Sequence, residues 1–225
     1  MGNLQYLDRV AVLVASGAVQ AIQHILLELQ ELSGLGNRRR LNVQDIEERY
    51  EHTGNVAKTR SIISLGLSMF KLFKNNAGSP RESPGFPYHV QTFNILTLCA
   101  EDYIVEPGSL KFLVEHGFDF TKQYSEGLSY VRGNDKGLLN ENNSDFVRQI
   151  FMEIIRYKKP IVLHNGFIDL VFLYQNLYAT LPTSVNSFAA DLAEMFPNGI
   201  YDTKYLSDYV CRKSASYLEY IFRSQ

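Results

Sequence analysis

The run Ile161-Val162-Leu163-His164-Asn165-Gly166-Phe167-Ile168-Asp169-Leu170-Val171-Phe172-Leu173-Tyr174 constrains this chain more than any other stretch. Three apolar residues after Pro160 read as a short buried strand, and the glycine three further on reads as the break into a helix. From Phe167 the apolar positions Leu170, Val171, Tyr174, Leu177, Tyr178 and Leu181 recur at three- and four-residue steps. Ile168, Phe172 and Leu173 make the other faces apolar too, and a helix apolar all round lies inside a domain. Asp169 is the only formal charge between Ile161 and Pro182. A buried carboxylate needs a cation, hydrogen-bond donors or a proton, so a metal ion is one candidate partner. Taken alone, its place near the start of a helix favours the plainer reading, in which free backbone N–H groups and the helix dipole stabilise it.

A chain of 225 residues with 45% apolar and 20% charged content is long enough for one large domain or two small ones. The formal charge of -2 gives no global basic field, so nucleic-acid contact has to come from a local patch. Cys99 and Cys211 form no Cys-x-x-Cys or Cys/His ligand spacing, so neither a disulfide scaffold nor a zinc site is indicated and a reducing compartment is expected. The apolar residues 10–19 follow Asp8 and Arg9 rather than a basic region. Leu4, Leu7, Ala11, Val14, Ala18, Ala21 and Ile25 keep helical spacing through Gln20, Gln23 and His24, which argues against a signal peptide and a membrane span. Residues 1–30 are therefore expected to be predominantly helical.

Further along, the Gly-punctuated residues 31–40 end in an arginine triplet that reads as a solvated loop, and residues 45–50 allow a helical turn. Residues 61–70 and 89–99 look like neighbouring strands, joined by the Asn-, Gly-, Ser- and Pro-rich residues 74–87. Glu106-Pro107-Gly108-Ser109 opens a helix through Leu110, Leu113 and Val114. Phe146, Val147, Ile150, Phe151, Ile154 and Ile155 make an amphipathic helix stopped by Lys158-Lys159-Pro160. A helix over residues 188–195, a short strand over 199–201 and one final helix through Leu206, Tyr209, Val210, Tyr217, Leu218 and Ile221 complete a mixed sheet covered by helices.

Five segments in one order carry a resemblance: Glu31-Leu32-Ser33-Gly34-Leu35-Gly36, Ile46-Glu47-Glu48-Arg49-Tyr50, Arg60-Ser61-Ile62-Ile63-Ser64-Leu65-Gly66-Leu67, His164-Asn165-Gly166-Phe167-Ile168-Asp169, and Tyr201-Asp202-Thr203-Lys204-Tyr205. That series resembles the DEDD-type 3′-to-5′ exoribonucleases called deadenylases over roughly residues 31–223. The resemblance implies an RNase H-like α/β exonuclease fold, RNA 3′ ends such as poly(A) or small nuclear RNA tails as substrate, two Mg2+ ions, and a nuclear location with a cytoplasmic one as the alternative. It implies no membrane. Two-metal phosphodiester hydrolysis needs several carboxylates around the ions. By resemblance Glu31 matches the Glu of the family's first Asp-x-Glu motif and Asp169 its middle Asp, so these two are the expected catalytic residues and metal ligands.

The same alignment of motifs puts the first Asp on Leu29 and its neighbour on Gln30, and a hydrocarbon cannot ligate a cation. Glu28 does not replace it, since on a strand Glu28 and Glu31 face opposite ways. His164 and Asp169 have the spacing of the family's last His-x-x-x-x-Asp motif, but their place upstream of Tyr201-Asp202-Thr203-Lys204 makes them the middle one, and His164 is read as structural. The expected organisation is an atypical helical segment over 1–30 and a partial exonuclease domain over 31–225, with the first strand replaced, the carboxyl-terminal part and its last His-x-x-x-x-Asp motif missing, and residues 61–70 left as an open sheet edge. Three functional readings remain open: a metal-dependent exoribonuclease of impaired activity, a non-catalytic RNA- or partner-binding remnant, and a chain whose first segment is misjoined.

Overall fold

The structure, a computed structural model, describes residues 45–72, 88–133 and 146–223, together with residues 24–31 as a backbone strand. A six-stranded sheet in the order β4-β3-β2-β1-β5-β6 forms the frame. Its strands are β1 (His24–Glu31), β2 (Ile62–Leu72), β3 (Tyr88–Cys99), β4 (Leu128–Tyr130), β5 (Ile161–Leu163) and β6 (Ile200–Asp202). The helices are α1 (Ile46–Thr59), α2 (Pro107–Glu115), α3 (Phe120–Glu126), α4 (Phe146–Arg156), α5 (Phe167–Leu173), α6 (Val185–Met195), α7 (Thr203–Tyr205) and α8 (Leu218–Arg223). β1, β2 and β3 are antiparallel neighbours, whereas β1, β5 and β6 run parallel and β4 joins β3 in parallel.

The first strand is present, which overturns the expectation of a helix across residues 24–30 and of a replaced strand. β1 pairs with β2 from His24 opposite Phe70 to Glu31 opposite Ile62, and with β5 at Ile25 opposite Ile161 and Leu26 opposite Val162. Leu, Glu and Gln favour helices, but propensity is worth only tenths of a kcal/mol per residue. A position between two strands satisfies the backbone of β1 on both sides and suits the consecutive Ile25-Leu26-Leu27. β2 is accordingly an interior strand, not an open edge. The register shifts between Gln30 and Glu31, so Ile63 is an extra residue in β2, and it is fully buried. The remaining positions of the anticipated amino-terminal helix, residues 1–23, lie outside the described residues, as do residues 32–44 and the loop over 74–87.

The core forms where the expected apolar faces meet the sheet. α4 buries Val147, Ile150, Phe151 and Ile154 at helical spacing. α5 and the π-helical turn that extends it, Tyr174–Tyr178, bury Val171, Phe172, Leu173, Tyr174 and Leu177. α1 is capped by Asp45, whose carboxylate accepts from the Glu47 amide at 2.8 Å, and it crosses α5 with Tyr50, Thr53, Gly54 and Ala57 inward. Gly54 packs closely on the stretch after the π-helical turn, where a Cβ would stand 3.3 Å from the Leu181 side chain. One expectation fails at the carboxyl end. Residues 206–221 are not one helix but a π-helical segment, Leu206–Val210, and the short α8, separated by a stretch in which Arg212 has φ 48. Left-handed φ and two intervening serines, Ser214 and Ser216, end the helical run.

Candidate functional site

The turn between β5 and α5 is built so that only certain residues fit. Asn165 has φ 59, a left-handed conformation that asparagine tolerates better than most residues. At Gly166 a Cβ would lie 2.5 Å from the Leu163 Cβ, so the chain passes its own strand too closely for a side chain. Asp169 then sits half-buried in the first turn of α5. The helix starts at Phe167, directly after the glycine break.

Two residues from the end of β6 hold this turn. The Asp202 carboxylate accepts from the Asn165 and Gly166 amides, each at 3.0 Å, and from the Lys204 and Tyr205 amides at 2.8 and 3.3 Å. Burial resists its ionisation, but the four amides outweigh burial and hold the carboxyl below the usual carboxylate range. The Thr203 hydroxyl donates to the Leu163 carbonyl at 3.1 Å and lies 2.9 Å from His164 Nδ1. A hydroxyl has one proton, so with that proton on Leu163 the imidazole donates from Nδ1, which leaves Nε2 as the acceptor nitrogen of the neutral ring. Asp202 is a residue that sequence reasoning quoted without a role. Its signal was an Asp directly before a short helical run, an N-cap pattern.

Since β1 and β5 are parallel neighbours, their carboxyl ends open at one end of the sheet, where ligands bind in open α/β sheets. Glu31 ends β1 there, and the β5–α5 turn with Asp169 leaves from the same end. The Glu31 side chain lies outside the described residues. Arg49 of α1 reaches the start of α5, its Cζ 5.2 Å from the Phe167 ring centroid. Next to the turn, Tyr205 and Tyr209 pair their rings with centroids 4.8 Å apart.

Of the two residues expected to hold the ions implied by resemblance, Asp169 alone has a described side chain. Among the described residues no group of three or more His, Cys, Asp or Glu side chains can hold a metal ion, and position 29 on β1 is a leucine without a lone pair. Among those residues, too, no helix is long and apolar enough to cross a membrane.

A mixed sheet flanked by helices, with an acidic turn at the carboxyl ends of its parallel strands, defines the class of RNase H-like α/β exonuclease folds. The family model described as the CAF1 family ribonuclease matches residues 27–146 and 141–225, and the chain belongs to that family. Among its relatives is the pre-piRNA 3′-exonuclease trimmer of Bombyx mori, 24% identical over 74% of this chain and 50% of that protein. An uncharacterised Schizosaccharomyces pombe protein is 29% identical over 50% of this chain and 26% of its own length. The chain thus spans half or less of the length of these relatives. In three dimensions it is similar to S. pombe Pop2p in its Mg2+- and Mn2+-bound form, with TM-score 0.62 at 17% identity, covering 99% of this chain and 78% of that one. It is also similar to the RNase domain of yeast Pop2, with TM-score 0.58 at 16% identity, covering 96% of this chain and 71% of that one. A yeast CAF1 co-crystallised with the NOT1 MIF4G domain has TM-score 0.56 at 15% identity, covering 97% of this chain and 69% of that one.

Proposed function

We propose that this chain binds RNA 3′ ends as a member of the 3′-to-5′ exoribonuclease and deadenylase family but hydrolyses them poorly or not at all. The observation that carries the reading is Leu29. It stands on β1, two residues before Glu31, where the family's metal-bridging carboxylate falls. Removing one anionic bridge from a pair of divalent cations leaves their charge uncompensated, and each ~1.4 kcal/mol of lost transition-state stabilisation is tenfold in rate. Membership of the CAF1 family supports RNA as the ligand, as do the relative named for trimming pre-piRNA 3′ ends and the Mg2+- and Mn2+-bound structural neighbour.

The test is a trimming assay with the purified chain on a 5′-labelled RNA ending in oligo(A), with Mg2+ or Mn2+, alongside a binding measurement on the same RNA. The expected result is binding without a ladder above that of Asp169→Ala. Robust divalent-dependent trimming that Asp169→Ala abolishes would overturn the impairment. The nuclear location is proposed on the resemblance alone, and imaging of the tagged chain decides it.

A further inference from the structure

We propose that Tyr205 and Tyr209 form a base-stacking platform for single-stranded RNA beside the His164–Gly166 turn, an inference that rests on the RNA reading above and adds a contact to it. Tyr205 is 61% exposed and Tyr209 69%, with centroids 4.8 Å apart and ring planes inclined by 32°. Among the described residues neither hydroxyl has a hydrogen-bond partner, so both rings present faces and edges to solvent without a task in the fold. Exposed aromatic rings that pair in this way are what unstacked bases use, because every base has a π-face.

The base of the platform is fixed although its top is open. The Tyr205 amide donates to the same Asp202 carboxylate that holds the Asn165 and Gly166 amides, which ties the platform directly to the turn leading to Asp169. The π-helical segment is closed by the Cys211 amide on the Leu206 carbonyl at 2.8 Å and the Lys213 amide on the Ser207 carbonyl at 2.9 Å, over a buried Ser207. Lys204 is held by Asp208 at 3.2 Å and by Ser216 at 2.7 Å. A surface ordered in advance loses little entropy when a ligand settles on it.

Charge selects RNA over an apolar protein partner. The whole chain has a formal charge of -2, yet residues 202–213 carry three cations, Lys204, Arg212 and Lys213, against two carboxylates, Asp202 and Asp208, of which Asp208 pairs with Lys204. Arg212, three residues past Tyr209 in the sequence, is a cation that fits a phosphate while bases stack on the rings.

The experiment measures the affinity of the full chain for a short 5′-fluorescein oligo(A) by anisotropy, in buffer with EDTA so that no metal contributes. Tyr205→Ala with Tyr209→Ala is expected to weaken binding on the order of tenfold, and Tyr→Trp at either position to preserve it. Both positions are exposed, so thermal melts of the variants should match the parent. An abasic ribose-phosphate strand of equal length should bind parent and double variant alike. Arg212→Ala should flatten the dependence of log K on log salt by about 0.7, the loss of one single-strand phosphate contact. A double variant that binds oligo(A) as well as the parent overturns the platform and leaves the RNA reading standing. A parent chain that fails to bind oligo(A) overturns both.

Discussion

Tyr174–Tyr178 and Leu206–Val210 are both π-helical, each closed by an amide reaching back five residues: Ala179 to Tyr174 at 3.0 Å and Cys211 to Leu206 at 2.8 Å. The first holds the pair Tyr174 with Tyr178 at 5.0 Å, and in the second Tyr209 pairs at 4.8 Å with Tyr205, the last residue of α7. Their surroundings are opposite. Leu177 and Asn176 are 0% exposed, and the Tyr174 hydroxyl donates to Asp191 Oδ2 at 2.7 Å. Tyr209 and Val210, by contrast, are 69% and 64% exposed. The wide turn sets which side chains sit together and says nothing about what covers them. Flanking charge decides that: residues 170–181 have none, so α1 and α4 can close over them, whereas residues 203–213 have four.

The sharpest way to break this comparison is to remove volume from both segments. Phe172→Ala, in the buried run that feeds the first π turn, should cost ~3–5 kcal/mol, and Leu177→Ala ~2–5 kcal/mol, through lost transfer energy and the cavity left behind. Val210→Ala should stay within ~0.5 kcal/mol. Urea melts of the three variants measure this, and equal midpoints would mean that the second segment is as buried as the first.

A smaller effect belongs to Asp202, which joins the two regions by bonding the β5–α5 turn on one side and α7 on the other. Asp202→Ala should cost ~1–2 kcal/mol, the loss of an N-cap together with the acceptor for two further amides. The pH dependence has a definite sign. A carboxyl whose folded pKa lies below its unfolded value stabilises the fold above the unfolded pKa, and that stabilisation is lost as the pH falls through the folded one. The difference in stability between the parent and Asp202→Asn should therefore hold at neutral pH and shrink in acid, below about pH 4. Hydrogen exchange at the Asn165 and Gly166 amides should be slow in the parent and faster in Asp202→Ala, and unchanged exchange would show that the turn does not depend on this carboxylate.

Much of the fold was legible because its periodicities were unambiguous. α4, β2, β3, β5 and α5 lie where their apolar patterns place them, and the capping Asp45 and Pro107 mark real helix starts. β1 was misread because Ile25-Leu26-Leu27-Glu28-Leu29-Gln30-Glu31 satisfies helical spacing and strong helix propensity at once, and only the pairing partners Ile62–Leu72 and Ile161–Leu163 settle the choice. Slow amide exchange across Leu65 and Leu67 would confirm that β2 is paired on both sides. The final helix was misread for a different reason, since the period continues across a left-handed Arg212 that no apolar pattern reports. In the β5–α5 turn, the break at Gly166 and the place of Asp169 in the following helix were visible in the sequence. The Asp202 contacts were not, because they join residues 36 and 37 positions apart, and distance along the chain hides which carboxylate faces which amide.

A smaller effect than that of Asp202 concerns Thr203, the second tie between β6 and the turn. Its hydroxyl proton goes to the Leu163 carbonyl at 3.1 Å, so the 2.9 Å contact with His164 requires the imidazole to donate from Nδ1. Thr203→Val keeps the branched shape and removes both bonds. Because the pair is only part-buried, water replaces much of what is lost, and the stability cost should be about 0.5–1.5 kcal/mol. The more informative readout is the ring itself. In the parent, the nitrogen-15 shifts of the neutral His164 ring should report a proton on Nδ1, the rarer tautomer, with Nε2 bare. In Thr203→Val nothing holds that proton in place, and the ring should move toward the Nε2-protonated form. If the parent already carries its proton on Nε2, then Thr203 donates to His164 instead of to Leu163, and the hydroxyl ties the turn through the imidazole rather than through the strand.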